Sequence, residues 1–284
     1  MKKYLMTAVA ALAAVSFNSC TNEIDMFEPL NSDKATIDLN VSNDILMVTR
    51  ASSEITDYTN WLVKVAPQAF TDANNNKEVS AGATSATDWI SASASASAGI
   101  GTKTFKAGGY NIAVKNFADD AAVYAANDNK GAAYYEGSIN QELVKGSNSV
   151  TVDCGQAKNC RVNVSLSALT GPDGLAAITN PTVTLTQEGR GATCPALSDT
   201  QTGYFKTGTQ IGYTLNYYYN DVEKHSTIAY ITAPAAHTEY SIVASTNTTG
   251  KITLTIECDG TFDQGDSKSV VIDAATGNQD TTNQ

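Results

Sequence analysis

Short segments in which apolar and polar residues alternate recur along nearly the whole chain. A period of two is the signature of half-buried β-strands. Ile37, Leu39 and Val41 alternate with Thr36, Asp38 and Asn40, and Trp61, Val63 and Val65 repeat the pattern. It returns at Tyr110, Ile112 and Val114, at Val150 and Val152, at Val162, Val164 and Leu166, and at Val183 and Leu185. The second half continues it with Ile211, Tyr213 and Leu215, then Tyr240 and Ile242, then Ile252, Leu254 and Ile256. Turn-forming clusters separate the runs: Asn74-Asn75-Asn76, Gly108-Gly109, Gly171-Pro172-Asp173-Gly174 and Asp259-Gly260. No helical pattern exceeds two turns, and Asp119–Ala126 is the best candidate for a short helix. Many short strands at this spacing predict an all-β chain of antiparallel β-sandwiches.

With 284 residues there is material for two such units. The strand Ser149–Cys154 ends at Gly155–Asn159 and a new one begins at Cys160, so the boundary is expected there. The expected division is an N-terminal sandwich over 36–155 and a C-terminal sandwich over 156–273, each the size of an immunoglobulin-like domain. A polar tail, 274–284, follows. The small side chains of Ser91–Ala98 cannot pack a core face and predict a loop or weak edge strand.

The first residues read as a leader. Met1-Lys2-Lys3 is a basic start, and Leu5–Val15 is an apolar run too short to span a membrane. It ends in Phe17-Asn18-Ser19-Cys20, which resembles a bacterial lipoprotein signal: residues 1–19 as signal peptide, Cys20 as the acylated (palmitate-bearing) first residue, and 20–35 as a lipidated tether. An ordinary secretory signal is the alternative. Acyl chains on Cys20 would anchor the protein without a spanning segment. Thr21 stands where an inner-membrane retention signal would place Asp, so the resemblance implies the outer membrane.

Chemistry-bearing constellations are sparse. Lys+Arg total 18 against 29 Asp+Glu, a net charge of −11 that cleavage of the leader takes to −13, which argues against nucleic acid as a partner. His225 and His237 sit outside any HExxH motif, and there is neither a Gly-x-Ser-x-Gly elbow nor a phosphate loop. Asp72, Asn74 and Asn76 resemble the start of a calcium loop but lack its glycine and closing glutamate, so a plain turn is expected. The expectation is a non-enzymatic chain without cofactor or metal. Cys154, Cys160 and Cys258 share phase with core-facing residues; they and Cys194 read as buried thiols or as partners in a disulfide, with Cys154–Cys160 able to brace the junction. Tyr217, Tyr218 and Tyr219 must split between two faces of a strand; those facing out would suit a glycan or protein ligand, those facing in a sheet edge or junction.

An ordered set of segments carries a further resemblance. A lipoprotein-like leader precedes Ala35–Val41, then Val48-Thr49-Arg50-Ala51, then Phe105–Val114, then Ala133–Ser138 leading to Val150–Cys154. In that order they are similar to fimbrillin-like surface lipoproteins of Bacteroides and relatives, including a group carrying a tandem β-sandwich domain of unknown function. The resemblance implies two transthyretin-like or immunoglobulin-like sandwiches and trimming by an arginine-specific protease, here between Arg50 and Ala51. It further implies loss of a first strand bearing Ile37, Leu39 and Val41, whose place a neighbouring subunit's strand then fills. Only Ser269–Ile272 has a donor-like pattern near the C-terminus, which leaves shaft, tip, anchor or stand-alone roles open. The reading is a surface-facing outer-membrane lipoprotein, a fimbria-like structural or adhesive component. Its partners would be the membrane through Cys20, pilin-like subunits, and a host or dietary glycan or protein. A monomeric glycan-binding lipoprotein, with the tyrosines as its platform, is the alternative. Replacing Cys20 with Ala is expected to move the protein from the detergent-extracted membrane fraction to the soluble fraction and to abolish incorporation of labelled palmitate.

Overall fold

The structure, a computed structural model, describes residues 33–44, 52–54, 58–169, 178–246, 251–258, 268–274 and 276–278. Cys20, Arg50, Ala51 and the turn Asp259-Gly260 lie outside these. The described chain is nearly all β. Its first half holds β1 (Lys34–Asp44), β2 (Ser52–Glu54), β3 (Leu62–Pro67), the hairpin β4 (Phe70–Asp72) and β5 (Lys77–Val79), β6 (Ile90–Ser91), β7 (Phe105–Lys106), β8 (Gly108–Lys115), the helix α1 (Asp120–Ala125), β9 (Glu136–Leu143) and β10 (Gly146–Asp153). The second half holds β11 (Cys160–Ser165), β12 (Ile178–Thr186), β13 (Ala196–Leu197), β14 (Thr202–Phe205), β15 (Ile211–Tyr219), β16 (Val222–His225), β17 (Ala229–Ile231), β18 (Glu239–Thr246), β19 (Lys251–Cys258) and β20 (Lys268–Asp273).

Each half packs two sheets face to face. In the first, β10-β1-β2, with β7 also on β1, stands opposite β6-β3-β8-β9. In the second, β14-β11-β18-β19-β20 stands opposite β13-β12-β15-β16, with β17 also on β15. The alternating residues fill the space between: Ile37, Val63, Ile112, Val114, Val150 and Val152 belong to one buried cluster, and Val162, Val183, Leu215, Ile242 and Ile252 to another. Among the described residues the strand pairings are antiparallel except two, β1 with β10 and β11 with β18, which are parallel.

Those two exceptions expose a repeat that no sequence similarity announces. β1, β3, β6, β7, β8, β9 and β10 stand to one another as β11, β12, β13, β14, β15, β16 and β18 do, with the same partners and directions. The first half adds β2 and the β4–β5 hairpin; the second adds β17, β19 and β20. The expected helix forms as α1, capped by the Asp119 carboxylate accepting from the Ala122 amide at 2.9 Å. The serine–alanine tract contributes only the edge strand β6 before turning, and Gly99 there leaves no room for a side chain against the Ser93 carbonyl.

The junction between the halves is polar and buried. Asn159 Nδ2 donates to the Ala132 carbonyl, its Oδ1 accepts from the Tyr134 amide, and its backbone carbonyl accepts from the His237 amide. Arg190, 1% exposed, donates to the carbonyls of Asn129, Thr193 and Tyr204 at 2.7, 2.9 and 3.2 Å and lies against the rings of Tyr124 and Phe205. Burial pulls its pKa below the ordinary arginine value, and three carbonyl dipoles and two ring faces take the place of a carboxylate. The Lys206–Asp120 ion pair adds a bond to α1 at the rim. Cys154 lies in the first core and Cys160 in the second, and both are free thiols, as is Cys194. The considered Cys154–Cys160 bridge is therefore absent, each sulfur being committed to its own core; the Cys258 side chain lies outside the description. Burial pushes the Cys154 and Cys160 thiols up to about 12, which keeps them protonated. Arg190→Met strands three carbonyls, and a loss of about 1–3 kcal/mol is expected, read in urea unfolding. The same variant should separate the two halves into distinct transitions in scanning calorimetry.

Candidate functional site

The expected removable strand is β1, and its surroundings define a slot. Ala35, Ile37, Leu39 and Val41 are buried in the first core while Thr36 and Asp38 are exposed, as the alternation requires. β1 runs parallel to β10 from Ala35 opposite Gly146 to Ser42 opposite Asp153. The Cys154 amide donates to the Ser42 carbonyl at 2.8 Å. A residue's N–H and C=O point the same way in a strand, so even-numbered residues of β1 face β10 and odd-numbered ones face away.

That other edge is covered unevenly. β7 pairs only with Lys34 and Ala35, and β2 only with Ser42 to Asp44. Among the described residues no strand pairs the stretch between. There the Tyr58 hydroxyl stands in for a ladder partner, accepting from the Val41 amide at 3.1 Å. The equivalent edge of β11 is paired by β14 over four residues and continued by the Val164 amide to the Gln201 carbonyl.

The lower end of the slot is fixed by Asn148, whose Nδ2 donates to the Thr36, Val144 and Gly146 carbonyls while its Oδ1 accepts from the Val144 amide. One side chain thus shapes the β9–β10 turn and holds β1 by a carbonyl. On the outer face Asn40 donates to Ser149 at 3.4 Å and Ser42 to Asp153 at 3.3 Å. Burying Ile37, Leu39 and Val41 contributes roughly 5–9 kcal/mol at about 1.5–3 each. A whole domain is stable by about 5–15 kcal/mol. Loss of β1 alone would thus remove an amount comparable with the stability of a whole domain.

Asn148 was not among the residues marked in the sequence. A lone asparagine in a strand at a core-facing position, two residues before Val150, is the signal that could have found it.

The tyrosine run divides as strand geometry demands. Tyr217 is 1% exposed, its hydroxyl donating to the Ala274 carbonyl at 2.9 Å; burial and the Asp273 charge push its pKa up to about 12. Tyr219 packs against the second core, and only Tyr218, 38% exposed, faces solvent. Three consecutive tyrosines therefore form no platform, because alternate side chains of β15 belong to the core. The exposed aromatics Trp89 and Tyr230 escaped the sequence reading because nothing in the alternation around them marks an outer face.

Other candidates have structural employment. Asp72 caps its own turn, accepting from the Asn74 amide and the Asn75 side chain, which lower its pKa; Asn76 takes the positive φ the hairpin needs. Asp119 caps α1 and Asp120 pairs with Lys206. His225 is on β16 beside Asn216, and His237 is buried at the junction. Among the described residues no three His, Cys, Asp or Glu side chains gather as a metal site would require, and no helix is long and apolar enough to cross a membrane. Asn148→Ala is expected to cost about 1–3 kcal/mol, from the polar groups it leaves unpaired. It should also speed hydrogen exchange of the β1 amides ahead of the rest of the first core.

No family model matches the chain, and no curated protein matches it. Among solved structures it is similar to a candidate cell adhesion protein of Bacteroides ovatus, 10% identical over 79% of this chain and 95% of that one, with a TM-score of 0.37. A candidate cell adhesion protein of Bacteroides eggerthii is 12% identical over 75% and 86%, with a TM-score of 0.34. A candidate adhesin of Bacteroides thetaiotaomicron is 8% identical over 80% and 96%, with a TM-score of 0.35. The likeness is distant in all three.

Proposed function

We propose that this chain is a non-enzymatic, lipid-anchored surface protein of the outer membrane, an adhesive or fimbria-like component that accepts a strand from a neighbour. The acceptor site is the β1 slot, vacated by cleavage between Arg50 and Ala51. The observation that carries the reading is the placement of β1: it is the first described strand, apolar toward the core, paired along one full edge and only partly along the other. Release breaks one long ladder. A replacement strand regains that ladder and the buried side chains together.

The distribution of arginine supports a single cut. The chain has three: Arg50, Arg161 and Arg190. Arg161 lies within β11 and forms an ion pair with Glu239; Arg190 is buried at the junction. Arginine-specific proteolysis of the folded protein is thereby directed to Arg50. Ser269–Ile272, the donor-like segment, is paired with β19 in β20, so donating it to a neighbour's slot requires its release from its own sheet.

Treating residues 21–284 with an arginine-specific protease is expected to remove the segment ending at Arg50 in one step, read by intact mass. Mixed with a synthetic peptide of Ala35–Asp44, the cut protein should retain a cooperative melt; left alone at high concentration, it should form multimers that resist mild denaturant. Resistance of Arg50 to cutting, or simple unfolding whether or not the peptide is present, overturns the reading.

A further inference from the structure

The internal repeat lets one half be read against the other. At the end of the second half, β18 is not an edge: β19 lies antiparallel along it from Tyr240 opposite Cys258 to Thr246 opposite Ile252, and β20 lies on β19. The matching strand of the first half is β10, and among the described residues nothing pairs its outer side. One copy of the architecture thus carries two added strands where the other ends bare.

The bare edge has definite chemistry. Even-numbered residues of β10 face β1, as the Cys154–Ser42 bond fixes, so Ser147, Ser149, Thr151 and Asp153 aim N–H and C=O outward. At Asp153 the edge is closed: a side chain at Gly137 of β9 would sit 2.4 Å from the Asp153 carbonyl oxygen. From Ser147 to Thr151 it is open. Those residues are exposed apart from Asn148 and Val150. The usual protections of an edge are missing there, since the stretch holds no lysine, no proline and no bulge in its pairing.

We propose that this edge takes the outermost strand of a second copy, β20, in antiparallel alignment. Three observations name that occupant. β20 ends the matching sheet of the second half, and among the described residues no strand pairs its outer side; at Asp273 the amide donates to the Asn278 carbonyl, so the stretch left for a partner is Lys268–Ile272, and joining it to β10 continues one sheet from molecule to molecule. The matching edge of this same chain, that of β18, accepts its neighbour antiparallel. The flanking charges fit only that direction. β10 is preceded by Lys145 and ends at Asp153; β20 begins at Lys268 and ends at Asp273. Antiparallel alignment brings the Asp273 end of β20, whose carboxylate also accepts from the Thr276 amide and hydroxyl, toward Lys145, whereas parallel alignment brings it toward Asp153. The contact joins two different surfaces, so it does not close on itself and each added copy offers a fresh β10 edge. It needs no cleavage and leaves β1 in place, and so stands apart from strand exchange at Arg50.

The test uses residues 21–284, which contain every described residue, carrying Arg50→Ala so that no strand is lost. Sedimentation velocity over a concentration series is expected to show association beyond a dimer. Thr151→Pro removes one outward N–H without touching the ladder to β1, and should leave the chain monomeric with an unchanged far-UV spectrum. Lys145→Glu should weaken association about fivefold, the upper end for one opposed charge pair, and Lys145→Arg should restore it. Overturning results are a monomer throughout, a series that stops at a dimer, or association indifferent to Thr151→Pro. Should Thr151→Pro fail to fold, association unchanged in Lys145→Glu overturns the proposal instead. Association that appears only with Arg50 intact and cut overturns it while leaving strand exchange standing. Association of the Arg50→Ala chain, with no multimers after cutting the native sequence, sinks strand exchange alone.

Discussion

The parallel pairing of the first strand of each half with a strand near that half's end is the bond on which the architecture rests. β1 meets β10 and β11 meets β18 across the longest sequence separations in their sheets. Neither sandwich closes until its ends are in register, so the cost of loop closure falls on these two ladders. Every other strand of each half can be laid down by antiparallel pairing to a neighbour. The same bond makes the first half conditional: withdrawing β1 removes a middle strand, not an edge, and opens the core along its length.

The two halves solve the joining problem with polar groups instead of a shared apolar core. Asn159 and Arg190 bond backbone carbonyls and amides of both halves. A buried guanidinium costs several kcal/mol to desolvate. Five donors in a fixed plane, set among three carbonyls and two aromatic rings, offset that cost and fix an orientation that apolar contacts alone would leave loose. Burying Arg190 in this role also takes it out of reach of a protease.

Much of the fold was legible from alternation alone. The core faces of β1, β3, β8, β11, β15 and β18 follow residue by residue from period two, and α1 follows from Asp119 and the alanines after it. The candidate strand was legible too, since Ile37, Leu39 and Val41 declare a core face. The cover on its outer edge was not. Tyr58 and Asn148 act through one hydroxyl and one amide placed by distant backbone, and no local pattern encodes such a contact. The tyrosine run shows the converse: Tyr217 and Tyr218 are chemically alike and adjacent, and only the register of β15 decides that one is core and the other surface.

What the sequence determined by itself is the set of long alternating strands, the face each of these turns inward, several of the turns between them and the placement of three arginines. Those are set by local covalent geometry and by side-chain polarity, which a chain carries before it folds. What only the tertiary structure decided is which strands are neighbours, that two pairs run parallel, that the halves repeat one topology, and that β18 is paired along its outer side where, among the described residues, β10 is not. Pairing partners are chosen by backbone groups common to every residue, so the choice leaves almost no mark on side-chain pattern and is settled only when the sheets assemble.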